Sequence, residues 1–310
     1  MKRNRENKTA KRPNHRERTV GDTDGTKDLD PYAEWDLTNM LFSIELATPD
    51  VGHGSYIRRF GQWLHKDTSG HGKETGFVPV EPSAPAPRTA SFDRDGHRVS
   101  VELTIPCMPD PVVAPLVNAF ERGDMGAMSV WLPENLLLEF VMHNVAALQQ
   151  RGMFEKSLVQ AWKRIEPFHR VPSTDQMAAL FASADRQALA AEGDPLPGPG
   201  PFTVYRGIAS RDTMRSLGLS WTASLDVACL FAISHATIAG TPSVWAATLN
   251  ACDVRFYTND RNEQEFVGLP ATCRRLKLRE REIRERTERR RSEIRANNDA
   301  WLGHLVSAGT

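Results

Sequence analysis

Residues 98–105, RVSVELTI, alternate polar and apolar positions over one short run, which predicts a half-buried strand. Upstream, Trp35, Leu37, Leu41, Ile44, Leu46, Ile57, Phe60 and Trp63 spread through residues 32–64 and predict a small core, mainly of helix. Between the two, KDTSGHGKETG and PVEPSAPAPR are dense in Gly, Pro and Ser, the composition of a long loop or linker. Over residues 111–192 the apolar period becomes helical. Leu137, Phe140, Val141 and Leu148 share a face behind Pro133, a residue suited to a first helical turn. Leu158, Trp162 and Ile165 recur at i, i+4 and i+7. Ser173-Thr174-Asp175-Gln176 is a capping-box pattern, followed by Met177, Leu180, Phe181 and Ala184 on one side. These stripes predict core rather than chemistry.

GDPLPGPGP at 193–201 breaks the helical pattern. Beyond it, residues 204–270 hold three short polar clusters inside apolar sequence: Arg206-Gly207, Ser220-Trp221-Thr222 and Glu263-Gln264-Glu265. FTVYR predicts a short strand ending at Arg206. LSWT predicts another, with Ser220 and Thr222 on one face because strand side chains alternate. Ser224 has the character of an N-cap, with Asp226 in the positive first turn of a helix carrying Val227, Ala228, Phe231 and Ala232. SVWAATL reads as a strand and FYTNDRN as a loop. If Glu263–Val267 is a strand, Glu263 and Glu265 share a face, about 6.5–7 Å apart.

Composition adds class and compartment. The chain has 310 residues, 40% of them hydrophobic and 25% charged, values of a globular protein with a real core. Its apolar runs fall short of the roughly 18 to 20 residues of a membrane span, and the basic N-terminus lacks the apolar region of a secretory signal. Cys107, Cys229, Cys252 and Cys273 are widely spaced and read as reduced thiols of a cytoplasmic protein. The net charge of zero hides a segregation. Residues 1–18 carry eight Lys/Arg against two Glu, and residues 274–295 carry eleven against five. Basic ends on an acidic body suit nucleic acid or an acidic surface, or are simply solvated. Residues 1–30 are too polar to bury a core and are expected to be disordered. The C-terminal run pairs Glu280–Arg284, Glu282–Arg286 and Glu285–Arg289 at i, i+4, and predicts a long solvated helix or partner-binding arm.

Each cluster has its own chemistry. Arg206 offers a planar fork suited to phosphate or pyrophosphate, and Gly207 lets a ligand approach the backbone. Ser220 and Thr222 either meet a ligand or satisfy nearby backbone. Glu263 and Glu265 repel one another unless a cation or ligand hydroxyls use them; solvated carboxylates on an edge strand are the plainer alternative. His53, His65 and His71 lack ligand spacing and a carboxylate cluster, so no metal is implied.

In that order, Arg, Ser-x-Thr and Glu-x-Glu resemble the arginine–serine–glutamate class of mono-ADP-ribosyltransferases, which includes cholera-like toxins and phage and bacterial effectors. Tyr205-Arg206-Gly207 is similar to the first-strand arginine, Ser220-Trp221-Thr222 to the serine motif, Ala228-Cys229-Leu230-Phe231-Ala232 to the helix after it, and Glu263-Gln264-Glu265 to the terminal motif. The likeness covers about residues 200–273, with the helices at 111–192 as the family's helical half. Trp221 and the short gap between Arg206 and Ser220 depart from the pattern.

The resemblance implies an α+β, split β-sandwich fold over residues 109–273. An N-terminal region (31–108) of unassigned role and a charged C-terminal helix (274–310) flank it. It also implies NAD as substrate. Arg206, Gly207, Ser220 and Thr222 would bind it, and Glu265, Glu263 and Ser220 would be catalytic, with Glu265 on the ribose 2′-hydroxyl and Glu263 facing the acceptor. Glu at the latter position goes with arginine as acceptor in this family, so protein arginine comes first and nucleic acid, recruited by the basic termini, second. An NAD glycohydrolase and a non-enzymatic binding module on the same fold are the competing readings.

Overall fold

A computed structural model describes residues 54–59, 62–67, 78–81, 83–132, 134–164, 172–209, 218–236 and 240–308. The expectations for the basic tail, for the apolar residues at 32–46, and for Phe60, Pro133 and Ile165 lie outside the described residues. All described residues belong to one unit, Ala47–Thr310.

The N-terminal part of that unit is β, not the helix expected around Ile57 and Trp63. Strands β1 (Gly54–Arg59) and β2 (Gln62–Asp67) pair antiparallel, and β3 (Val78–Val80) adds to β2. Irregular apolar spacing over so few residues fits either element, and cross-strand pairing decided it. Next comes a hairpin of β4 (Ala86–Arg94) and β5 (His97–Ile105). Only its second strand was expected; the first begins inside the proline-rich run. Asp95 (φ 51°) and Gly96 (φ 78°) make its two-residue turn, the positive-φ pair that fits the twist of a tight hairpin.

Among the described residues seven helices follow: α1 (Asp110–Arg122), α2 (Met125–Trp131), α3 (Glu134–His143), α4 (Val145–Arg151), α5 (Phe154–Lys163), α6 (Thr174–Ala182) and α7 (Arg186–Ala191). Helix α6 has the capping box its sequence requires. Gln176 N donates to Ser173 Oγ at 3.2 Å, and Ser173 N to Gln176 Oε1 at 2.9 Å. Ala90, Phe92, Leu103 and Ile105 of the hairpin share one core with Leu116, Phe120, Leu137, Phe140, Leu158 and Phe181 of the helices. Buried Asn144 pins the two together. Its Nδ2 donates to the Thr104 and Phe140 carbonyls at 2.8 Å each, and its Oδ1 accepts from Thr104 N at 2.7 Å.

The C-terminal half is a six-stranded antiparallel sheet ordered β11-β8-β6-β7-β10-β9. Its strands are β6 (Phe202–Ile208), β7 (Ser220–Thr222), β8 (Ser243–Leu249), β9 (Val254–Thr258), β10 (Glu265–Gly268) and β11 (Cys273–Arg275). Helix α8 (Leu225–Ala236) follows β7 and α9 (Glu280–Ala308) follows β11. Successive residues of β10 part company: Val267 joins the helical core and Phe266 a second cluster with Trp221, Val204 and Tyr257. The chain is thus a mixed helix-and-sheet protein of α+β type. No helix among the described residues is long and apolar enough to cross a membrane.

Helix α9 is not a solvated arm over its first half. Ile283, Thr287 and Arg290 are buried, and Ile283 packs with Ala228, Cys229 and Ala232 of α8. Glu280–Arg284 forms at 2.6 Å as expected, but Arg286 and Arg289 turn to Asp226 on α8, at 2.7 and 3.2 Å. Burial opposes the Asp226 carboxylate, yet hydrogen bonds from Arg286 and Arg289 outweigh it and leave its pKa below the ordinary value. A folded-state pKa below the unfolded one stabilises at pH values above the latter, and the gain is lost as pH falls through the former. Asp226→Asn is therefore expected to unfold at lower urea than wild type at pH 7, with the gap closing below about pH 4. Urea curves at pH 7 and pH 3 check it.

Candidate active site

The order of the sheet puts Arg206, Ser220 with Thr222, and Glu265 on the neighbouring strands β6, β7 and β10. Tyr205 pairs with Thr222, Thr222 with Glu265, and Ser220 with Val267. Ser220 Oγ donates to Glu265 Oε1 at 2.5 Å, and Arg206 Nη1 donates to the Ser220 carbonyl. The guanidinium is largely out of water; burial pulls its pKa down to about 10, against the opposing pull of Glu265. It remains a cation at neutral pH, and its buried Nε has no partner among the described residues.

Ser224 caps α8 as its sequence predicts, accepting from Val227 N at 3.3 Å. Trp221, the bulky residue inside the serine motif, is buried on the opposite face from the hydroxyls, beside Phe266. That alternation explains how the motif accommodates it.

Two of the expected ligand residues make contacts within the protein. Thr222 Oγ1 donates to the Glu263 carbonyl at 2.6 Å and accepts from Ser224 N at 3.0 Å. Its hydroxyl ties the Glu263 turn to the start of α8. Gly207 lies within β6 rather than after it. A Cβ there would stand 1.9 Å from the Ala228 carbonyl oxygen and 2.5 Å from Ala232 N, so the close approach it permits is that of α8. His235, in the last turn of α8, hydrogen-bonds the Gly207 backbone; burial and then Arg206 lower its pKa.

Glu263 is not on a strand, which corrects the shared-face expectation. It follows a short 3-10 turn, Asp260–Asn262, with φ −94° and ψ −15°, and Gln264 has φ 50°. Hydrogen bonds hold this bend: Gln264 N to Asn259 Oδ1 at 3.2 Å, Ala223 N to the Gln264 carbonyl at 3.1 Å, and Thr222 Oγ1 to Glu263. Strand pairing resumes only at Glu265. Burial, countered by Arg261 and reinforced by Glu265, pushes the Glu263 carboxyl up to about 7.

The turn is clamped from both sides by residues that the sequence did not single out. Lys163 Nζ meets Asp260 Oδ2 at 2.7 Å, and Arg261 Nη2 donates to the Lys163 carbonyl at 3.0 Å. From α9, Arg290, 4% exposed, donates through Nη2 to the carbonyls of Arg261 at 3.2 Å and Asn262 at 2.8 Å. Trp162 Nε1 donates to Glu265 Oε1 at 3.1 Å. Nothing in a helical apolar stripe, or in a run of arginines, marks Trp162 or Arg290 as site residues.

Surface hollows run along α9, beside Arg281, Glu285 and Glu288, and between β4 and α1, beside Arg88, Asp110 and Val113. Neither is lined by Arg206, Ser220 or Glu265. No family model, no curated protein and no solved structure matches this chain.

Proposed function

We propose that the chain is an NAD-dependent mono-ADP-ribosyltransferase with the split β-sandwich of that class, acting on protein arginine. One observation carries the reading. Arg206, Ser220 and Glu265, separated by 14 and then 45 positions, are joined through hydrogen bonds on adjacent strands. A cation, a hydroxyl and a carboxylate suit the pyrophosphate and ribose hydroxyls of NAD. Both donors to Glu265 use Oε1, and no donor among the described residues reaches Oε2. The nicotinamide amide would compete with His235 for the Gly207 backbone.

NAD supplies a bond already prone to cleave, because its nicotinamide is a cation that leaves neutral. The bond between ribose C1′ and the nicotinamide nitrogen breaks, and its electron pair departs with nicotinamide. Glu265 hydrogen-bonds the 2′-hydroxyl and stabilises the positive charge developing on the ribose, as carboxylates do in glycoside hydrolysis. The acceptor nitrogen attacks C1′ and gives its proton to Glu263.

A carboxyl with a pKa of about 7 is a base only where it is deprotonated. Transfer to arginine should therefore rise as pH increases through about 7. Glu263→Gln should remove that limb and reduce transfer more than NAD hydrolysis; pH–rate profiles of both reactions check it. Equal losses in the two reactions would contradict the acceptor-facing role.

Labelled NAD incubated with a cell lysate, then treated with protease or nuclease, tests the whole reading. Label released by protease supports it. Label released by nuclease moves the acceptor to nucleic acid, while nicotinamide release without a labelled macromolecule makes the protein a glycohydrolase. NAD left intact overturns the proposal.

A further inference from the structure

We infer that Trp162 is a positioning residue for Glu265: its indole N–H, with the Ser220 hydroxyl, holds carboxylate oxygen Oε1 and leaves Oε2 to face the ribose. The kinetic consequence rests on the transferase reading; the contact does not. The two donors reach the same oxygen from different elements, Ser220 from β7 at 2.5 Å and Trp162 from α5 at 3.1 Å. The last torsion of a glutamate is broad and nearly free. One donor leaves the carboxylate able to swing, whereas two donors converging from opposite elements fix its plane.

The indole is itself held. Its ring meets Phe181 edge-on, with centroids 5.1 Å apart at 81°, and Phe181 stacks on Phe256 of β9 at 5.9 Å and 28°. Strand β9 pairs with β10, which carries Glu265. One residue further along α5, Lys163 grips Asp260 and accepts from Arg261. The end of α5 therefore meets both segments that bear the candidate carboxylates. Nor is the bond a mere requirement for burying an indole here, because Trp221 and Trp245 bury their Nε1 with no partner among the described residues. A donor aimed at a charged acceptor makes a stronger bond than a neutral pair does.

The test uses the full chain and two readouts. In a spectrum of the tryptophan indole N–H groups, the Trp162 resonance should lie downfield and move upfield in Glu265→Ala. A Trp162 resonance indifferent to Glu265→Ala overturns the inference. Second, Trp162→Phe keeps a ring against Phe181 but removes the N–H. It should lower kcat for NAD cleavage by roughly 10- to 100-fold, the effect of losing one bond to a charged group, with KM changed by less than about two-fold. An unchanged kcat, or a loss confined to KM, overturns the positioning role. If Trp162→Phe does not fold, the spectra of wild type and Glu265→Ala decide. A wild type inert toward NAD sinks the transferase reading and the kinetic half of this inference, while the indole resonance still settles the contact.

Discussion

Glu265→Gln is expected to lower NAD cleavage by about 10³-fold, the scale on which removing one group that stabilises transition-state charge acts. The substitution keeps the shape and an acceptor oxygen, so Ser220 and Trp162 retain their partner. In the proposed reaction, what it removes is negative charge beside the ribose as the glycosidic bond breaks. Thermal unfolding should therefore stay near wild type while kcat collapses. The pairing of Glu265 with Thr222 and Thr258 on either side is a backbone matter that the amide does not disturb. A variant that keeps full activity would remove Glu265, and with it the proposed chemistry.

Gly207→Ala should produce the largest change in stability. The added Cβ would sit 1.9 Å from the Ala228 carbonyl oxygen, 2.5 Å from Ala232 N and 3.0 Å from the Ala228 carbonyl carbon. These are helix backbone atoms, which no rotamer change can move aside. Either α8 lifts from β6 or the strand bends, and overpacking of this kind costs about 3 kcal/mol or more. For a chain of this size that corresponds to a fall in Tm of roughly 6–12 °C. Activity should fall too, because Arg206 precedes Gly207 and its bond to the Ser220 carbonyl depends on the strand's position. An unchanged Tm would mean that α8 does not sit on Gly207 in solution.

Much of the fold was legible in local sequence. The capping box at Ser173 formed as its spacing required, and the described residues of the helical region over 111–192 form seven helices. RVSVELTI lies within β5, and Ser224 caps α8. The Asp95-Gly96 turn and strand β4 were not anticipated, because the proline-rich run before them read as a linker. Helix was expected where β1 and β2 pair, because a few scattered apolar residues do not distinguish a 3.6-residue period from a 2-residue one.

The site was legible in part, and the division follows how each residue is held. Arg206, Ser220 and Glu265 stand out because polar residues interrupt apolar runs at strand positions. Glu263 was placed on the wrong element, because positive φ at Arg261, Asn262 and Gln264 is stabilised by Asn259, Thr222 and Ala223 rather than announced by glycine. Arg290 and Trp162 read as members of a solvated charged run and an apolar stripe. Their partners lie 28 and 103 positions away.

Where periodicity or caps were clear, as in β5, α6 and the start of α8, the sequence by itself determined the element, because those signals act over a few neighbours. At β1, β2 and the Glu263 turn, pairing and packing decided it. Only the tertiary structure decided which polar groups meet. Sheet order brought β6, β7 and β10 side by side, and the docking of α5 and α9 closed the Glu263 turn from two directions. Hydrogen bonds with ångström tolerances between segments far apart along the chain are fixed by the packing of whole layers, and no local pattern of residues encodes that distance.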